Sequence, residues 1–463
     1  MYFVYSVLMG VAAFVTAPYW FIQGWRHGKY LSNLRERLGF SLPALAKLPA
    51  ERPGALWIHA VSVGEVLSGV PLAKRLKEIY PHRPLVISTT TITGHDLAKA
   101  RIPFADALIY FPFDWAFCVR KFLSAVKPAL ILVLETEIWP NFLRESRQRN
   151  IPVIFASGRI SGRSFTRYQK YLGLFGFYLR PFLAFVLNNA TAFLMQTPTD
   201  AERIRTLGAP EDRVFVIGNL KYDMALPDST LFSKWLADEC KRRERWPVIV
   251  AGSVVATEEP LALIAFGVVQ GDFRNALLVL APRKPERFVP AASFIEESHR
   301  KFIRRSELPV AGPGITPVAT NSTPVTAGSS GRNDIADDTT VILLDSIGEL
   351  ASLYALADGV FVGGSLVEAG GHNILEPASF GKVPVFGPSM ENFAEIAARF
   401  VQADAAIQVD SPEDAGVEWI HLLKDPEKMK RMGEAAKGLV ENSRGALDRV
   451  TAEIAKHMSG AVQ

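Results

Sequence analysis

The chain has 463 residues, more than one hydrophobic core usually serves, so two domains are expected. Its 51 basic and 47 acidic residues nearly cancel, which removes any general electrostatic case for nucleic acid as a partner. Two cysteines, Cys118 and Cys240, argue against a disulfide framework or a cysteine-based metal site and fit a reduced, cytoplasmic setting.

From Met1 to Trp25 no side chain is charged, and the stretch is long enough to cross a hydrocarbon core of roughly 30 Å. Arg26, His27, Lys29, Arg35 and Arg37 follow at once, a cationic flank that would keep the next domain cytoplasmic, with Trp20 and Trp25 at the interface. A cleaved signal peptide is the rival, but a basic n-region and a clear small-x-small cleavage site are missing. An uncleaved anchor over residues 1–25 is therefore expected, and Pro18 leaves open a shallower, interfacial or re-entrant helix.

Short apolar runs, each followed by Gly, Ser or Pro and then a helical pattern, recur in the manner of buried parallel strands. They fall at Leu56–Ile58, Leu85–Ile87, Leu108–Tyr110, Leu130–Leu134, Val153–Phe155, Phe193–Met195 and Val214–Ile217. A second series runs through Val248–Val250, Leu277–Leu280, Val341–Leu344, Val360–Val362, Val383–Phe386 and Ala406–Val409. Between the series, residues 221–246 have many charges and no strand signal. The pattern predicts an α/β protein of two doubly wound domains facing each other, residues 26–225 and 246–463, joined by a linker over 226–245, with a ligand in the cleft between the carboxyl ends of their sheets.

Within the first series, Glu65 falls where a strand hands over to a helix. A carboxylate there is either a capping and dipole partner or a general base; the helix N-terminus would lower its pKa, leaving it ionised and able to accept a proton. Leu132–Leu134 then runs directly into Glu135 and Glu137, with Trp139-Pro140 behind them. If the strand continues, both carboxylates point the same way and form a catalytic or hydroxyl-binding surface, the rival being a capping box for a helix from Pro140. Arg159, Arg163, Arg167 and Lys170 lead into the aromatic stretch Tyr171–Val186. This is either core helix with a solvated end or a surface for an acidic, acylated lipid, with Arg159, Arg163 and Arg167 as acceptor-binding residues.

In the second series, residues 311–338 have no aromatic residue and many Gly, Pro, Ser and Thr, so a mobile surface loop without a catalytic role is expected there. Val360–Val362 then enters Gly363-Gly364, and a second pair, Gly370-Gly371, precedes His372-Asn-Ile-Leu-Glu-Pro377. Strand, tight loop and helix start make an anion site, with free amides for a phosphate and Glu376 placed for ribose hydroxyls; close backbone packing is the plain alternative.

The ordered motifs Ser62-Val-Gly-Glu65, Thr89-Thr-Thr91 with Thr93-Gly94, Tyr110-Phe-Pro-Phe-Asp-Trp115, Glu135-Thr-Glu-Ile-Trp-Pro-Asn141, Gly218-Asn-Leu-Lys-Tyr-Asp223, Ala281-Pro-Arg283, Gly348-Glu-Leu350 and Gly363-Gly-Ser365 through Glu376 resemble the 3-deoxy-D-manno-octulosonic acid (Kdo) transferases of lipopolysaccharide synthesis. The resemblance covers nearly the whole chain. It implies a GT-B glycosyltransferase that moves Kdo with inversion from CMP-Kdo to the lipid A precursor, at the cytoplasmic face of the inner membrane, without a metal or other cofactor. Carried over motif by motif, Glu65 matches the general base, and Glu135 and Lys221 match groups that stabilise the transition state. Pro282 and Arg283, Ile347, Gly348 and Glu349, and Asn373, Ile374, Leu375 and Glu376 match the CMP-binding segments. The 311–338 segment has no clear counterpart, and family members differ in how many Kdo units they add. Rival readings are another nucleotide-sugar transferase of the same fold and a non-catalytic, membrane-anchored sugar-binding protein.

Overall fold

The computed structural model describes residues 1–27, 33–49, 51–223, 229–308 and 335–458, so most of the 311–338 segment lies outside the described residues. The chain divides into two units, Met1–Ala225 with Ser443–Gln463, and Leu226–Asn442.

Unit 1 carries a parallel sheet of seven strands, β1 (Ala55–His59), β2 (Leu85–Thr89), β3 (Ala107–Tyr110), β4 (Pro128–Leu134), β5 (Val153–Gly158), β6 (Ala192–Met195) and β7 (Val214–Val216). Their order is β3-β2-β1-β4-β5-β6-β7, the doubly wound arrangement whose order reverses between β1 and β4. Successive residues feed opposite cores: Trp57, Val86, Ile131, Phe155 and Phe193 pack on one face, Leu56, Leu85, Leu132, Ile154 and Leu194 on the other. Helices cover both faces, which is why these strands read as continuous apolar runs rather than alternating ones.

Unit 2 repeats the plan with β8 (Val248–Val254), β9 (Leu277–Pro282), β10 (Phe302–Arg304), β11 (Val341–Leu343), β12 (Gly359–Val362), β13 (Pro384–Phe386) and β14 (Ile407–Gln408). The order is β10-β11-β9-β8-β12-β13-β14, reversing between β8 and β12. The edge strand β10 escapes the sequence pattern because three half-buried residues between Lys301 and Arg305 make no apolar run.

Two expected boundaries are corrected. The supposed linker contains a helix, Leu231–Arg242, that buries Phe232, Leu236 and Cys240 at intervals of four residues under an otherwise charged exterior. The second domain does not run to residue 463. Helix Ala446–Met458 returns to unit 1, where Ala446, Val450, Ile454 and Met458 pack into the same core as Leu56 and Ile154.

The chain opens with helix Tyr2–His27. Its first turn is seated on unit 1: Asn189 Nδ2 donates to Tyr2 Oη at 3.0 Å, Asn141 Nδ2 donates to Ser6 Oγ at 3.1 Å, and the Arg144 guanidinium lies 4.5 Å over the Tyr2 ring. Phe3 on the outer side of that turn is exposed, as are Leu8, Phe14 and Val15 further along. Among the described residues no helix is long and apolar enough to cross a membrane. The side chains of residues 17–27 lie outside the description, so the expected span from Met1 to Trp25 falls partly beyond it.

Candidate active site

In unit 1 the candidate residues Glu65 and Glu135 gather at the carboxyl end of the sheet, around the reversal between β1 and β4. Glu65 stands in the first turn of helix Val63–Ile79, buried at 6% exposure. Its Oε2 accepts the Val61 amide at 2.7 Å and its Oε1 accepts the Ser62 hydroxyl at 2.9 Å, so the capping-type contact and the candidate base are one group. Burial, with the Glu135 and Glu137 carboxylates beside it, pushes its pKa up to about 8. The expectation of a carboxylate held ionised by the helix N-terminus is thereby corrected, because desolvation and two like charges outweigh the two donors.

β4 ends at Leu134, and Glu135 takes a left-handed φ of +54°. The chain therefore turns instead of continuing the pleat that was expected to align Glu135 with Glu137. That conformation is uncommon for a residue with a Cβ and persists where its surroundings fix it. Glu135 Oε1 lies 3.8 Å from Lys221 Nζ, while burial and Glu135 raise the pKa of Glu137. Neither carboxylate caps the helix from Pro140, since Asp114 accepts the Asn141 and Phe142 amides at 2.9 and 2.7 Å.

Thr136 Oγ1 accepts the Arg159 amide at 2.9 Å, which brings the head of the basic segment to the same turn. Arg167 is exposed on helix Gly162–Leu187, and burial, then the charge of Glu137, raises the pKa of its neighbour Tyr168. The Arg163 side chain lies outside the described residues. Tyr171, Phe177 and Tyr178 on the same helix are exposed.

In unit 2 the loop after β12 is built differently from its sequence reading. Glu258, fully buried at the end of the β8 loop, accepts the amides of Gly364 at 2.6 Å and of Ser365 and Leu366 at 3.0 Å. The first glycine pair therefore holds an internal carboxylate instead of presenting those amides to a phosphate. Burial raises the Glu258 pKa, and four amide donors offset part of the shift. Gly364, at φ +71°, also leaves room for His372, whose Nδ1 would lie 2.5 Å from a Cβ at 364.

The residues expected from the resemblance to bind CMP are placed as follows. Arg283 is exposed just past the end of β9, its amide bound to the Val254 carbonyl at 2.7 Å. Its positive charge is felt by His372, whose pKa burial lowers, and by Tyr354, whose pKa burial raises well above the ordinary value. Tyr354 also feels Glu376, and Asn373 Nδ2 donates to Glu376 Oε1 at 3.3 Å. Ile374 and Leu375 are buried, as is Pro282. Ile347 is exposed beside Gly348, whose φ is +95°. Glu349 differs: its carboxylate is buried against Arg305 at 2.9 and 3.0 Å and accepts Ser346 Oγ, so its side chain holds the loop together.

Sequence reasoning did not single out Glu258, Tyr354 and His372, which the structure links to the candidate residues. The signal for Glu258 was available, because a Glu shortly after the first strand of each unit repeats the position of Glu65. Tyr354 was hidden inside an apolar run, and only the bare Gly252, where a Cβ would lie 2.0 Å from the Tyr354 hydroxyl, makes room for it.

Residues 32–224 match the family model described as 3-Deoxy-D-manno-octulosonic-acid transferase (kdotransferase), and residues 332–439 match Glycosyl transferases group 1. The chain is 34% identical over 426 residues to the 3-deoxy-D-manno-octulosonic acid transferase of Haemophilus influenzae, covering 91% of this chain and 90% of that protein. Against the protein of that description from Bordetella pertussis it is 30% identical, covering 87% of each. In fold it is similar to a UDP co-structure of MnaA from S. aureus, with a TM-score of 0.51 at 13% identity over 88% of this chain and 97% of that one.

Proposed function

We propose a mechanism for this chain from the premise that it belongs to the 3-deoxy-D-manno-octulosonic acid transferase family and is a glycosyltransferase that transfers Kdo in lipopolysaccharide biosynthesis. CMP-Kdo is the donor and the lipid A precursor, lipid IVA, the acceptor. Glu65 takes the proton of the attacking sugar hydroxyl, whose oxygen bonds to the Kdo anomeric carbon. The bond from that carbon to the CMP phosphate oxygen breaks on the opposite face, and its electron pair leaves with CMP, giving inversion.

The observation that carries this reading is the environment of Glu65: a buried carboxylate with two neighbouring carboxylates and a pKa raised to about 8, close to the pH at which a base must work. As positive charge develops at the anomeric carbon, the Glu135 carboxylate stabilises it, while the Lys221 ammonium, 3.8 Å from Glu135, balances the carboxylate that Kdo carries. On the nucleotide side Arg283 compensates the charge appearing on the departing phosphate, and Asn373 and Glu376 take the CMP sugar.

The protein acts at the cytoplasmic face of the inner membrane. In support, the uncharged stretch Met1–Trp25 is followed by Arg26, His27 and Lys29, and Phe3, Leu8 and Phe14 are exposed. Arg167 and the exposed Tyr171, Phe177 and Tyr178 suit an anionic, acylated acceptor, with Arg159 and Arg163 as further cations. The test is release of CMP from CMP-Kdo with and without a tetraacyl lipid A precursor. Acceptor-dependent release is expected, and no release with either would leave only a sugar-binding protein.

A further inference from the structure

Lys221 is presented by a single 3-10 turn, Leu220–Asp223, whose anchors come from three directions. From β5, Ser157 Oγ accepts the Leu220 amide at 3.3 Å. From the end of β6, Gln196 Oε1 accepts Asn219 Nδ2 at 2.9 Å, and Asn219 Oδ1 accepts the Lys221 amide at 2.9 Å. The third anchor comes from the far end of the sequence. Asp223 Oδ1 accepts the Gly445 amide at 2.6 Å and Oδ2 accepts the Leu447 amide at 2.7 Å, so the carboxylate caps helix Ala446–Met458. Arg449 of that helix donates to the Ile217 carbonyl at 2.7 Å, closing the other end of the segment.

In a 3-10 turn residues three apart eclipse, so Leu220 and Asp223 share a face and Lys221 stands on another. The shared face is the one docked on the C-terminal helix, since Leu220 is fully buried in the core that contains Ala446 and Val450. Lys221 is left directed at Glu135, which is itself held at φ +54°. A capping carboxylate 222 residues away from its amides in sequence has no local reason to exist. Its effect is to lock the turn two residues after the lysine is set.

We infer that Asp223 is a positioning residue for Lys221, held in place by the Gly445 and Leu447 amides at the start of helix Ala446–Met458. The inference rests on the reading of Lys221 as a transition-state group. A merely structural cap would lower stability without touching the chemical step; a positioning residue lowers kcat through Lys221 alone.

The experiment is a double-mutant cycle on the full chain with Asp223→Ala, Lys221→Ala and the pair, reading kcat at saturating CMP-Kdo, CMP affinity by calorimetry and Tm. Asp223→Ala is expected to lower kcat at least tenfold with CMP affinity unchanged, and to cost less than threefold once Lys221 is already Ala. Ile454→Ala, which loosens the same helix from its core side, is expected to lower Tm with kcat within twofold of wild type. Asp223→Asn, which keeps one acceptor oxygen, serves if the alanine variant does not fold, and is expected to fall between wild type and Ala. Losses that multiply in the double variant overturn the inference while leaving the Lys221 reading intact. So does a fall in kcat for Ile454→Ala as large as that for Asp223→Ala. Wild-type turnover in Lys221→Ala alone overturns the Lys221 reading and the inference with it.

Discussion

Glu65 is the residue whose environment departs furthest from what its sequence position suggests. Its folded pKa of about 8 stands above the ordinary 4.5, so folding favours the protonated form. Stability from this site is fully present below the unfolded pKa and is lost as pH rises through about 8. Glu65→Gln keeps the shape, can still accept the Val61 amide and donate to Ser62, and carries no charge. The expected outcome is a Tm close to wild type near pH 5 and above wild type near pH 9, measured by calorimetry over that range. The Glu258 pKa is also raised by burial, but there the Gln substitution is expected to act oppositely on Tm, because its NH2 group would face amide donors. Its two oxygens accept four amides, so Glu258→Gln leaves donors of the Gly364–Leu366 loop unmatched. Hydrogen bonds to charged groups contribute about 1.5–3 kcal/mol each, so Tm should fall by several degrees and CMP should bind more weakly. Arg283 separates binding from folding: it is exposed, and Arg283→Ala should weaken CMP by about 1.5–3 kcal/mol, read by calorimetry, with Tm unchanged.

At the scale of elements, the parts that read well from sequence are the ones that physics makes repetitive. Strands covered on both faces become apolar runs, and nearly all of them could be placed, whereas β10 could not because an edge strand of three residues buries too little. The helix Leu231–Arg242 was lost under its own charges, although Phe232, Leu236 and Cys240 keep a four-residue spacing. The candidate residues were legible as positions: Glu65, Glu135, Lys221 and Arg283 all fall at or shortly beyond the carboxyl ends of strands. Its electrostatics were not, because the pKa of Glu65 depends on Glu135 and Glu137, seventy residues away in sequence and close only in the fold. The same distinction shapes a prediction for the N-terminal helix. Deleting residues 1–25 should improve solubility and leave turnover of a detergent-dispersed acceptor in place. It should also cost some Tm, since Tyr2 and Ser6 fill hydrogen bonds from Asn189 and Asn141 and Tyr2 covers Phe182.

For the whole molecule, the division into units has an asymmetry that can be tested by expression. Unit 2 is one continuous segment with its own core, including Phe266, Leu278, Leu343, Phe361 and Trp419. Produced alone, residues 226–442 should fold cooperatively and bind CMP. Unit 1 is discontinuous, and a fragment ending at residue 225 lacks the helix that buries Ala446, Val450 and Ile454 against its sheet. It should be less stable than one rejoined to residues 443–463, as judged by denaturant midpoint. The central claim is that buried Glu65 is the base of Kdo transfer, and the most direct measurement is kcat/KM against pH for wild type and Glu65→Gln with CMP-Kdo and a lipid A precursor. The account predicts a wild-type profile that rises with pH and levels off above about 8, and a variant at least about 10²-fold slower whose profile is flat across that range. A variant within a few-fold of wild type, still rising through the same pH, would contradict it.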